Sequence, residues 1–212
     1  MPHPLTLTSL PLFPLGTVLF PEGVLALQIF EVRYLDMVRK CYRAGAPFGV
    51  VSLRSGHEVR RAGAPDEQFH DVGTLATITE LQTPQPGLIT LACRGSQRFR
   101  ILRRAMLPHG LWMADVEHLD DDLAVPIPPD LEPSAAALAK VLEVLRERDP
   151  GSPASVYPAH AQLADSGWVA NRWCELLPVP SELKQQLMEL DNPLVRLELV
   201  SDVLERTGIA PG

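Results

Sequence analysis

Few residues in this sequence combine a type and a spacing that could do chemistry. The histidines are His3, His57, His70, His109, His118 and His160, and no two stand four apart around a glutamate, the pattern that places two zinc ligands on one helix face. No metal site and no cofactor is expected. Ser181 and Lys184, in SELK, have the Ser-x-x-Lys spacing in which an amine could deprotonate a hydroxyl, but the SDN and KTG companions of that chemistry are absent. Ser181 follows Pro180 and reads more simply as a helix N-cap. Ser96, in CRGSQRF, lacks the second glycine of a nucleophile elbow, so Gly95 and Ser96 read as a hairpin turn. Asp120 to Asp122 fall where the chain reads as a connector, which fixes no distance between carboxylates. Neither GxxxxGK[ST] nor GxGxxG occurs. No catalytic residue is assigned, and a hydrolase using Ser181 and Lys184 or a histidine-based site stands as the enzymatic alternative.

Two features point to binding. Arg94, Arg98, Arg100, Arg103 and Arg104 cluster around Phe99 and Ile101, so a strand could bury Phe99 and Ile101 while presenting Arg98 and Arg100. RNA contact through this strand is one reading. It sits poorly with a formal charge of -7 and with sparse aromatic stacking platforms nearby. The second feature is the polar, turn-rich segment from Arg54 to Asp71, where Phe69 either tucks down or offers apolar surface beside a sheet edge to an extended polypeptide. Phe69, Arg98 and Arg100 are therefore the candidate peptide-binding residues, with a protein or polypeptide as the expected partner.

The elements that must position these residues follow from periodicity. Gly16 and Pro21 to Gly23 read as turns around a strand from Thr17 to Phe20, and VLALQIF alternates like a second strand. Phe30, Tyr34, Val38 and Cys41 then recur at helical spacing, with Arg33, Asp36, Arg39 and Lys40 toward the other side and Gly45 as the stop. PFGVVSL, DVGTLATITELQ, LITLACRG, SQRFRILRR and GLWMADVEHL read as further strands. Short strands with one early helix imply a curled sheet or partly closed, mostly antiparallel barrel. The acidic, Pro-rich DDLAVPIPPDLEP reads as a stiff connector. About four helices follow it, including one started by Asn192 and Pro193 and stopped by Gly208. Two domains are thus expected, at 1–122 and 130–212.

The prolines of the apolar opening, Pro11, Pro14 and Pro21, fit neither a secretion signal nor a membrane span. Phe13 and Leu27 are expected in the core. Cys41, Cys93 and Cys174, odd in number and far apart, suit buried fillers in a reducing cytoplasm.

LPLFPLGTVLFPEGVLALQIFEVRYLDMV, from Leu10 to Val38, resembles the opening of the N-terminal substrate-binding domain of the ATP-dependent Lon proteases. VGTLATITELQTPQPGLITLACRGSQRFRI, from Val72 to Ile101, resembles that family's central hairpin, with Gly95, Gln97, Arg98 and Phe99 in its G-x-Q-R-F stretch. LLPVPSELKQQLMELDNPLVRLELVSDVL resembles the helical end of the same domain. The resemblance implies a PUA-like pseudo-barrel followed by a helical bundle, with Gly73 and Gly95 at strand starts, Phe99 inward, and Pro11 and Pro14 bending the chain. It implies a non-catalytic module, an adaptor or weak holdase, free-standing and without the family's ATPase and Ser-Lys peptidase domains. No catalytic residue carries over.

Overall fold

The computed structural model describes residues 5–58, 66–149, 157 and 162–208. The chain divides into two compact units, Met1–Asp121 and Asp122–Gly212.

The first unit is a ring of strands. In chain order it holds β1 (Thr6–Leu15), β2 (Val24–Ile29), α1 (Val32–Ala44), β3 (Phe48–Ser55), β4 (Gln68–Gln85), β5 (Leu88–Met106) and β6 (Trp112–His118). The sheet order is β2-β5-β4-β3-β1-β6, and a further β5–β6 pairing closes it. All pairings are antiparallel except β1 with β3. This is the mostly antiparallel pseudo-barrel that the sequence implies.

Alternation along the strands sorts side chains into two cores. On β1, Leu10 and Leu12 point into one cluster with Val51, Phe69, Leu75, Phe99, Ala114 and Val116. Phe13 and Leu15 point into the other, against Tyr34, Val38 and Cys41 of α1 and Phe48 and Val50 of β3. Phe13 stacks on Tyr34 with ring centroids 4.0 Å apart. Leu27, expected inside, is only partly buried against this second cluster.

Three strand readings need correction. Thr17 to Phe20 is no strand; Val18, Leu19 and Phe20 are buried there, and the Leu19 carbonyl accepts from the Thr74 hydroxyl at 2.6 Å. The strand lies earlier and contains Pro11 and Pro14, opposite Met113 and Val51. A proline fits a strand wherever its nitrogen is not required as a donor. Finally, LITLACRG and SQRFRILRR are one continuous strand. Gly95 is not a turn; a side chain there would strike the Phe20 carbonyl oxygen, so the glycine marks close backbone approach. Gly73 is likewise inside β4, not at its start, facing the Val50 carbonyl and the Phe99 ring.

The second unit holds α2 (Glu132–Arg148), α3 (Ser166–Leu176), α4 (Ser181–Glu189) and α5 (Pro193–Thr207). Asn192 caps α5 by accepting from the Leu194 and Val195 amides at 3.0 and 3.3 Å, and Gly208 ends it in a left-handed conformation. Ser181 is the first residue of α4, not its cap; Pro180 holds that position. Arg172 is fully buried on α3, where it pairs with Glu175 at 2.9 Å and lies over the rings of Tyr157 and Trp168. Arg196 of α5 is equally buried. It donates to the Leu187 carbonyl at 2.9 Å, to Asn171 at 3.1 Å, to the Leu190 carbonyl and to both oxygens of Asp122.

Candidate functional site

The residues singled out in the sequence do not meet at one surface. Phe69 lies within β4, not on an exposed loop, and is 3% accessible; its ring packs edge-on against Trp112 at 5.4 Å, under the guanidinium of Arg104. The part of the preceding loop from 59 to 65 falls outside the described residues. Arg98 is also buried, at 3%, because the chain after β6 covers it: the Leu119 amide donates to its carbonyl, and its guanidinium donates to the Asp120 carbonyl at 3.2 Å. A register irregularity just before it sets Ser96 and Gln97 opposite the single residue Leu75. Arg100 does face solvent.

The exposed arginines are matched by acids. Arg94 faces Glu22 at 3.5 Å, Arg100 faces Glu117 at 3.8 Å, Arg103 faces Asp115 at 2.8 Å and Arg104 faces Asp71 at 3.4 Å. The strand is charge-paired and offers no cationic track for a phosphate backbone.

Among the described residues, the candidates for catalysis named from sequence do not assemble either. Lys184 directs its ammonium to the Glu175 carbonyl at 3.1 Å, which serves α3 and not a serine nucleophile. Among the described residues, no three His, Cys, Asp or Glu side chains gather as metal ligands. His3 and His160 lie outside the described residues. The three cysteines are buried thiols, and burial pushes Cys93 and Cys174 up to about 12, far from a reactive thiolate.

What the fold does build is a groove of about 460 Å³ in the first unit, between α1 and the turn that joins β5 to β6. Helix α1 supplies Val32, Arg33, Asp36, Met37, Lys40 and Cys41; across from them stand Leu107, His109, Leu111 and Met113, with Pro11 of β1 beside them. The turn is held by two backbone hydrogen bonds of 2.8 Å, between Leu107 and Leu111 and from Gly110 to Leu107, and Gly110 takes a φ of 86° that favours glycine. Val32 is 75% exposed and Leu107 37%, so apolar surface reaches the rim.

Arg33 fixes the two walls. Expected on the solvent side of α1, it is 6% accessible and donates to the Gly110 carbonyl at 2.8 Å, to Glu67 at 2.9 Å and to Glu31 at 3.1 Å. Trp112 donates to the other Glu67 oxygen at 3.2 Å. Arg33 and Glu67 together thus tie helix α1 and the residue before β4 to the turn and to β6. The available signal was the stripe Arg33, Met37 and Cys41, spaced by four, which puts the arginine on an apolar face. Phe30, assigned to that face, precedes the helix and is 55% exposed.

Burial is the largest influence on Glu67 and pushes its carboxyl up. The hydrogen bonds from its own amide, Arg33 and Trp112, with the charge of Arg33, outweigh that and hold it below the usual value of 4.5. A lowered native value means the network's contribution is complete above about 4.5 and is lost as pH falls through the native value. Stability should therefore drop more steeply with acid in the native protein than in Glu67→Gln, measured as denaturation midpoints across that window. Parallel curves would show that the carboxylate is not held this way.

Comparison with known proteins places these features in context. Residues 9–206 match the model of the "ATP-dependent protease La (LON) substrate-binding domain". A crystal structure of a Lon N-terminal domain protein from Xanthomonas campestris is 32% identical, covering 92% of this chain and 98% of that one, with a TM-score of 0.67. The N-terminal domain of a Mycobacterium avium complex Lon protease shares the fold at 17% identity, with 92% and 96% coverage and a TM-score of 0.58. A Lon protease of Anaeromyxobacter dehalogenans is 30% identical over 200 residues, which are 93% of this chain and 23% of that protein. Lon protease 2 of Myxococcus xanthus is 27% identical over 198 residues, again 93% and 23%. The chain thus spans about a quarter of the length of these curated relatives.

Proposed function

Because the chain belongs to the family of Lon substrate-binding domains, we propose that it is a non-catalytic polypeptide-binding module and that the α1 groove receives apolar segments of unfolded or extended chains. The groove carries this reading: it is concave, largely apolar, and open at Val32 and Leu107. Met37 and Met113 in its lining are flexible and polarisable, which suits segments of varied sequence. Polypeptide capture by such a module would serve an adaptor or a weak holdase. Of the three residues proposed from sequence, Arg100 keeps an exposed side chain that could add a rim contact, whereas Phe69 and Arg98 could act only by shaping the sheet.

No helix among the described residues is long and apolar enough to cross a membrane; a cytoplasmic location is part of the proposal. So is a division into domains at 1–122 and 130–212, which the two compact units support.

Titrating the protein into a fluorescent apolar peptide, or a denatured reporter, should give binding on the order of tens of micromolar, about -6 kcal/mol. Val32→Asp combined with Leu107→Asp should weaken it by about tenfold or more, with melting unchanged because both side chains are exposed. Undiminished binding by this variant would move the site away from the groove. Absence of any binding by the native protein would end the polypeptide reading.

A further inference from the structure

We infer that the groove prefers apolar segments bordered by an acidic side chain, with Lys40 as the residue that recognises the carboxylate. This deepens the polypeptide reading and rests on it.

The local charge is opposite to that of the whole chain. The protein carries a formal charge of -7, yet among the described residues that line the groove there is one carboxylate, Asp36, against Arg33 and Lys40. Most of these charges are already committed. Arg33 is buried and held by Glu67, Glu31 and the Gly110 carbonyl. Asp36 faces Arg39 at 3.9 Å along the same helix. Lys40 remains, exposed and with no ion-pair partner among the described residues. The uncommitted charge at the groove is therefore cationic.

Position makes that charge selective. Lys40 stands one helical turn beyond Asp36 and adjoins Cys41, at the border of an apolar lining formed by Met37, Leu111 and Met113. A segment that seats apolar side chains on this lining brings its flanking residue to the ammonium. A carboxylate there gains attraction strengthened by the low polarity of the groove wall. A lysine or arginine there meets a like charge, and the one carboxylate among the described lining residues, Asp36, is shared with Arg39. Complementarity of this kind sets discrimination and encounter rate more than total affinity. The occupant is thus a few apolar residues next to Asp or Glu, and the apolar part alone supplies the common affinity.

The test uses the 212-residue chain and labelled peptides with one apolar core, flanked by Glu, Gln or Lys and amidated at the C-terminus. The Glu-flanked peptide should bind about tenfold more tightly than the Lys-flanked one at low salt, with the gap closing at high salt. Lys40→Glu should reverse that order, with the Gln-flanked peptide as the reference against which the reversal is read. Equal affinities for the three peptides, or an order unchanged by Lys40→Glu, overturns the proposal while the groove reading stands. A gain seen only with a free C-terminal carboxylate, and not with glutamate, overturns the side-chain assignment. Failure of every peptide, the Gln-flanked one included, overturns both readings together.

Discussion

Arg196→Ala is expected to destabilise the helical unit by about 3 to 5 kcal/mol, the range for removing one partner of a buried charge pair. The guanidinium is 1% accessible and serves five acceptors: the two Asp122 oxygens, Asn171, and the carbonyls of Leu187 and Leu190. Alanine leaves those groups without their donor and opens a cavity. Leu187 and Leu190 stand at the end of α4, so Arg196 also satisfies carbonyls that a helix terminus cannot pair internally. Hydrogen exchange resolved by segment reads the result: α3, α4 and α5 should exchange faster while β1 to β6 keep their protection. A loss under about 1 kcal/mol would mean that water replaces the arginine at these carbonyls, contrary to the burial.

The second large effect is expected at Phe99. Its side chain is fully buried and its ring lies against the backbone of Gly49 and Gly73, on neighbouring strands β3 and β4. Phe99→Ala should cost about 3 to 5 kcal/mol, because two glycines cannot reach in to fill the void. Gly73→Ala attacks the same site from the opposite side, placing a methyl group against the Val50 carbonyl and the Phe99 ring. Urea denaturation should show a lower midpoint for both variants, with an unchanged slope for Phe99→Ala. A double variant less destabilised than the sum of its parts would report the direct contact. Native-like midpoints would show that the slot is not tightly packed.

Local signals made much of this fold legible. Helix α1 with its Gly45 stop, the strands β3, β4 and β6, and α5 between Asn192 and Gly208 follow from periodicity and capping chemistry within a few residues of one another. Glycine and proline misled where their role was set by distant chain. Gly95 resembles a turn until the Phe20 carbonyl is seen above it, and Pro11 and Pro14 resemble breaks until β6 and β3 are seen beside them. Charge misled in the same way. Arg33 and Arg98 occupy positions that read as outward, and each is buried by acceptors remote in sequence, Glu67 and Gly110 for one and Asp120 for the other. The groove was illegible for the same reason: its walls, α1 and the turn from Leu107 to Leu111, are far apart in sequence. The succession of short strands implied a curled sheet or partly closed barrel, and the family resemblance carried it to a pseudo-barrel.

The placement of β1 has a kinetic consequence. Its two neighbours in the sheet are β3 and β6, and the β6 partners of Thr6 to Leu12 lie at Trp112 to Glu117. During synthesis at roughly 5 to 20 residues per second, β1 is made about 5 to 20 seconds before β6 exists. Over that interval Leu10, Leu12 and Phe13, which the finished ring buries, have no complete core to enter. Pairings so distant in sequence slow the final step on any chain. Pro11 and Pro14 then acquire a use beyond geometry, since a strand missing two amide donors is a poor template for another copy of itself while the nascent chain lacks β6.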